Sequence, residues 1–135
     1  MKAIIFTLAL TLGMTAQATS KLNCGFTEPF FSLEIDLAKA LITRTEYDWD
    51  DKDPNSDYIT TTVAENIKVE VDNSDPFLPK YALKTQDGEV FANILMNMAG
   101  SDGMSDIIYP FDIRYSDYWG GCTSDLISSF DPNRQ

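Results

Sequence analysis

Beyond residue 30 the chain alternates apolar and polar positions in short runs. Phe31-Ser32-Leu33-Glu34-Ile35-Asp36 repeats with period two, the mark of a strand with one buried face. Leu37 to Tyr47 carries two signals. Leu33, Leu37 and Leu41 are spaced like one face of a helix, whereas Leu41-Ile42-Thr43-Arg44-Thr45 has the β-branching that favours a strand. We read a strand, with a short helix near residues 37–44 as the alternative. Tyr58 to Val63 and Ile67 to Val71 are also β-rich. Tyr81 to Thr85 and Glu89 to Met96 flank Gln86-Asp87-Gly88, and Asp-Gly between alternating segments is a strong hairpin signal. Ile107 to Ser116 returns to strand, and Gly120-Gly121 predicts a sharp turn into Cys122. Asp48 to Asp57, Asp72 to Pro76 and Gly100 to Asp106 are rich in turn residues and read as loops. Six to eight short strands separated by turns predict an all-β domain, a small antiparallel barrel or sandwich.

The first eighteen residues follow a different pattern. Lys2 precedes an apolar run, Ala3 to Met14, and Ala16-Gln17-Ala18 then offers small residues where signal peptidase reads. The run is shorter than the roughly 20 apolar residues that span a bilayer. Residues 1–18 therefore read as a secretory signal peptide and residues 19–135 as one β-domain, periplasmic or secreted. Cys24 is preceded by Lys21-Leu22-Asn23 rather than by the small residues of a lipoprotein signal, which favours a soluble product over a lipid-anchored one.

Export changes the reading of the two cysteines. In an oxidising compartment Cys24 and Cys122 are expected to form a disulfide that ties the start of the domain to its end. Charge and composition narrow the chemistry further. The chain has 10 basic and 21 acidic residues, a net charge of −11, and no histidine. Such a surface repels nucleic acid and favours cations or a basic protein. Without histidine there is no Ser-His-Asp or Cys-His nucleophilic machinery and no histidine-ligated metal.

Asp51-Lys52-Asp53-Pro54-Asn55-Ser56-Asp57 places oxygen-bearing side chains at Asp51, Asp53, Asn55 and Asp57, the alternation that calcium loops use. Ser56 stands where an EF-hand has glycine, and Thr62 where it has a bidentate glutamate. The plain alternative is a solvated acidic loop. No cofactor is expected, and calcium at these four residues is the alternative. Glu28, Asp102 and Asp106 are the carboxylates from which a glycosidase-like pair could be drawn, but an acidic chain always offers some pair. Phe30, Phe31, Tyr109, Phe111, Tyr115, Tyr118 and Trp119 are expected mostly in the core, with Tyr118-Trp119 as a candidate exposed edge.

Two stretches carry a family resemblance. Cys24-Gly25-Phe26-Thr27-Glu28-Pro29-Phe30-Phe31 resembles a C-x-G-T-E-P-F-W opening. Ser101-Asp102-Gly103-Met104-Ser105-Asp106, with Tyr109-Pro110 after it, resembles an S-D-G-M-S-D-x-x-Y-P signature, and Gly121-Cys122 a closing G-C. Together they resemble a family of uncharacterised bacterial envelope proteins, exported or lipid-anchored and often labelled predicted membrane proteins. Phe26 and Phe31 depart from the family's glycine and tryptophan. Gly100 stands where many members have a cysteine. Leu37 to Met98 has no counterpart. The resemblance implies a bacterial periplasmic setting and no biochemical activity.

These readings converge on a non-catalytic acidic binding module that meets a basic protein or an envelope component. One narrower alternative is an inhibitor of a basic lysozyme, since Ser105 and Tyr109 are loosely similar to the Ser…Tyr element of one bacterial lysozyme-inhibitor family. A calcium-binding envelope protein and a carboxylate enzyme are the others. The sequence also predicts a latch in which Glu28 and Ser101–Asp106 approach each other. A strand starting near Glu28 would pair with the strand Tyr109 to Ser116. Glu28 and Asp106 would then draw donors from the backbone of the Gly103 turn.

Overall fold

The computed structural model describes residues 20–48, 58–75, 77 and 80–133. The described residues are all-β, with nine strands in one antiparallel sheet: β1 (Lys21–Thr27), β2 (Phe30–Asp36), β3 (Leu41–Tyr47), β4 (Tyr58–Glu65), β5 (Lys68–Asp72), β6 (Lys80–Lys84), β7 (Val90–Gly100), β8 (Tyr109–Tyr115) and β9 (Tyr118–Ser124). Their order across the sheet is β4-β3-β2-β1-β9-β8-β7-β6-β5. The count exceeds the expected six to eight. The extra strand at the start, β1, hides its alternation behind Asn23 and Gly25, which face outward between inward Leu22, Cys24 and Phe26.

The sheet's two edges are consecutive in the chain. β4 ends at Glu65, β5 begins at Lys68, and only Asn66 and Ile67 lie between them. A flat nine-stranded sheet would hold its edges eight strand spacings of about 4.8 Å apart, which two residues cannot bridge. The sheet therefore curls. Residues 58–72 form one bent segment whose first half pairs with β3 and whose second half pairs with β6. Asn66 takes a positive φ of 53° at the bend. Ile67 is buried there, and its N–H donates to the Ala40 carbonyl at 3.1 Å.

Curling gives the sheet an inner face. Leu33, Ile35, Ile42, Leu83, Ile94 and Ile113 are its most completely buried aliphatic side chains, each contributing about 1.5–3 kcal/mol by leaving water. Towards the β1–β2 turn this face becomes aromatic. Phe26 and Phe31 stack with centroids 4.3 Å apart, Tyr115 meets both edge-on, and Phe91 stacks on Tyr115 at 4.8 Å. Cys24 and Cys122 face each other across β1 and β9 on the inner side and form the disulfide.

The helix alternative near residues 37–44 is not taken, and the described residues contain no helix. Residues 37–40 are a turn: the Asp36 carboxylate accepts the Lys39 N–H at 2.9 Å, and Ala40 has a φ of 52°. The expected turn at Gly120-Gly121 is also corrected. Both glycines lie inside β9, and the chain reverses at Ser116–Asp117 instead. They are glycine because of what lies above them. A Cβ on Gly120 would sit 2.5 Å from the Gly25 carbonyl oxygen, and one on Gly121 would sit 2.5 Å from the Tyr109 ring. The pairing expected between a strand near Glu28 and the strand leaving the Ser101–Asp106 loop does not form either. β9 lies between β1 and β8 and pairs with both.

Candidate functional site

The Ser101–Asp106 loop leaves β7 and lies back over the outer face of β9 and β1. Its first anchor is Asp112 on β8. A Cβ at Gly100 would come within 2.8 Å of the Asp112 carboxylate, so glycine there leaves that carboxylate its place. Asp112 accepts the Ser101 N–H at 3.0 Å and the Asn97 side-chain amide at 2.9 Å. Ser101 Oγ in turn accepts the Gly103 N–H at 3.0 Å, and Gly103 turns the chain at a φ of 92°.

Asp102 organises the rest. The residue is only 6 % exposed. Its Oδ1 accepts the N–H groups of Met104 at 3.0 Å and Ser105 at 2.8 Å. Its Oδ2 accepts the Ser105 hydroxyl at 2.6 Å and the Tyr109 hydroxyl at 3.3 Å. Its own carbonyl accepts the Thr27 hydroxyl at 3.0 Å. Burial by itself pushes the Asp102 carboxyl up, but the Ser105 hydroxyl, the Met104 and Ser105 N–H groups and the Tyr109 hydroxyl outweigh it. They hold the carboxyl below its ordinary value. Tyr109 is pushed the other way, by burial first and then by the neighbouring Asp102 charge. An ionised carboxylate offers about four lone-pair sites, and here four donors fill them. Asp102 is thus placed to hold a loop rather than to exchange protons with a substrate.

The two motif stretches meet in space, but through different atoms from those expected. Thr27 makes the contact with Asp102, and the backbone donors of the Gly103 turn serve Asp102, not Glu28 or Asp106. Glu28 is exposed in the β1–β2 turn, where the Glu28–Pro29 peptide is cis. Asp106 is exposed as well and accepts the Asn133 side-chain amide at 3.3 Å. Glu28 nevertheless shares a shallow recess of about 300 Å³ with Asp102, Gly103, Met104, Asp117 and Trp119. Ser105 and Tyr109 both turn their hydroxyls inward to Asp102, so neither is freely presented.

Three residues of this region were not singled out by sequence. Thr27 and Asp112 anchor the loop from strands on either side of β9, and Arg114 covers Trp119 with its guanidinium 3.8 Å from the ring centroid. An outward carboxylate in the middle of β8 was the available signal for Asp112. Phe30 is 64 % exposed, against the expectation of core; Trp119 is 59 % exposed, as the alternative of an exposed edge has it, while Tyr118 packs against the aromatic end of the inner face.

Asp51, Asp53, Asn55 and Asp57 lie outside the described residues. Among the described residues no group of three or more histidine, cysteine, aspartate or glutamate side chains is gathered to hold a metal. No helix of the described residues is long and apolar enough to cross a membrane. Compared with protein-family models, with curated proteins and with solved structures, the chain matches none.

Proposed function

We propose that this chain is a non-catalytic, exported, acidic binding module that meets a basic protein or envelope component at the recess beside the Ser101–Asp106 loop. One observation carries the reading. Met104 and Trp119, 64 % and 59 % exposed, line a recess that the carboxylate residues Glu28 and Asp117 also line. Exposed aromatic and methionine side chains are enriched where proteins meet, and flanking carboxylates on a chain of net charge −11 speed the approach of a basic partner. The saturated Asp102 supports the reading by supplying a fixed frame rather than a reactive group. The signal-like residues 1–18 and the disulfide support an exported setting. A basic lysozyme is the narrower form of the same reading, and it rests on charge alone.

The test is a titration against a basic lysozyme and against whatever basic protein an envelope extract yields on immobilised chain. Trp119→Ala should raise Kd about tenfold or more. Glu28→Gln with Asp117→Asn should slow association and flatten its salt dependence. Unaltered binding by both variants rejects the recess as the contact.

A further inference from the structure

Where β1 begins and β2 ends, the inner face of the curled sheet surrounds a cavity of about 430 Å³. Its walls are core residues. Leu22, Leu83, Ile94 and Phe111 line it from β1, β6, β7 and β8, and each is at least nine-tenths buried. Leu37 and Ile127, in the segments that follow β2 and β9, pack against the same core and complete the wall. Register puts Val69 opposite Leu83, and Tyr81 opposite Ile94, on this face. Val69 on the edge strand β5 and Met96 on β7 line the cavity and are exposed, so it opens to solvent beside them.

Size, lining and charge define what would fit. Protein cores are close-packed and hold few cavities larger than a water molecule. A cavity of about 150 Å³ lined by leucine, isoleucine and phenylalanine already takes benzene, and small-molecule sites run from roughly 300 to 1,000 Å³. The cavity here lies in that range. Seven of its nine lining side chains are aliphatic or thioether, so it offers hydrocarbon contact on most sides. No lysine, arginine, aspartate or glutamate lines it, and a charged group drawn inside would stay unpaired. An anionic group would also meet a chain of net charge −11. Tyr81 carries the one polar side chain of the lining, and its hydroxyl has no hydrogen-bond partner among the described residues.

We infer that this cavity is a binding site for a small uncharged molecule with one hydrocarbon chain of medium length and a single polar end. The chain lies against the aliphatic wall, and each CH₂ that leaves water adds to the affinity. The polar end stays near Tyr81, whose hydroxyl can donate to it or accept from it. Apolar lining with one orienting polar group is the usual make-up of a small-molecule site. The cavity faces inward and shares no lining residue with the recess at Trp119, so the inference does not depend on that reading.

The experiment is an amide-resolved NMR titration of the chain with decan-1-ol, with decanoate and with decyltrimethylammonium, each kept below the concentration at which it aggregates. Decan-1-ol should shift the Leu83, Ile94 and Phe111 amides saturably, and the two charged chains should bind there about tenfold or more weakly. Val69→Trp narrows the mouth with a residue that suits a strand, and it should weaken decan-1-ol binding about tenfold or more. Met96→Trp narrows it from β7 and carries the test if Val69→Trp loses its dispersed spectrum. Tyr81→Phe removes the hydroxyl at constant shape and should weaken binding about threefold. Tyr58→Ala truncates an exposed ring in the aromatic recess at the opposite end of the sheet and should leave binding unchanged. The inference is overturned if decan-1-ol gives no saturable shifts at those amides, if either charged chain binds them as tightly, if binding survives the folded cavity variants intact, or if Tyr58→Ala abolishes it.

Discussion

The inside and the edge of the sheet are written in the same alternating pattern and meet opposite fates. In β2, inside the sheet, Phe31, Leu33 and Ile35 are almost wholly buried. In β5, at the edge, Lys68-Val69-Glu70-Val71-Asp72 alternates just as cleanly, yet Val69 and Val71 remain 47 % and 51 % exposed. The pleat sends alternate side chains to opposite faces in both strands. What differs is the neighbourhood: β2 has β1 and β3 on its two sides, whereas β5 pairs with β6 alone. Alternation therefore specifies which residues share a face, and sheet position decides how much that face is covered.

The largest loss of stability is expected between β1 and β9, at the middle of the sheet. Reducing the Cys24–Cys122 bond frees a loop of sequence separation 98. It should cost about 4–5 kcal/mol in the chain-entropy model. Urea unfolding with and without reductant measures this, and coincident curves would mean that the central strands hold without the bond.

A smaller loss is expected where the loop crosses the outside of those strands. Asp102→Asn removes the charge from four hydrogen bonds and should cost about 1–3 kcal/mol. Amide exchange should accelerate at Met104 and Ser105 and stay slow in β2. The pH dependence follows from the lowered carboxyl. Its contribution is fully present above the ordinary value of 3.8 and is lost as pH falls through the lower folded value. The gap in stability between the parent chain and Asp102→Asn should accordingly close in acid, below about pH 4. A gap that stays constant down to strong acid would show that the charge on Asp102 is not what holds the loop.

At the edge the effect should nearly vanish. Val71→Thr keeps the β-branch, loses apolar contact only on a half-exposed face, and should shift stability by about 0.5 kcal/mol or less. A loss comparable with that at Asp102 would mean that something covers β5 in solution.

The sequence disclosed what is local and withheld what is made by distant neighbours. The hairpin at Asp87-Gly88 was legible because Gly88, at a φ of 86°, meets a backbone demand within the turn itself. Ser101, Asp102 and Gly103 were legible as a turn for the same reason, and the cysteine pair followed from count and compartment. Gly120 and Gly121 misled, because their requirement comes from Gly25 and Tyr109, far away in the chain. Thr27 and Asp112 were missed because a hydroxyl or a carboxylate on a strand announces no partner until register is known. The expected role of Glu28 passed to its neighbour. A turn residue with no strand partner opposite stays in water, while Thr27, the last residue of β1, lies against the loop.

The pairing of β1 with β9 also sets an order of events. The first strand of the sheet finds one of its two partners only in the last strand, which ends at Ser124. During vectorial synthesis β1 and β2 can form a hairpin early, but one side of β1 stays unsatisfied until β9 has been delivered. Contacts between chain ends are slow to close, and an open strand edge invites wrong partners meanwhile. The Cys24–Cys122 bond, whose formation passes two electrons to an oxidant outside the chain, cannot precede that moment. The disulfide is therefore a record of delivery: a chain stalled before Cys122 cannot form it, and a bonded one has been delivered at least as far as β9.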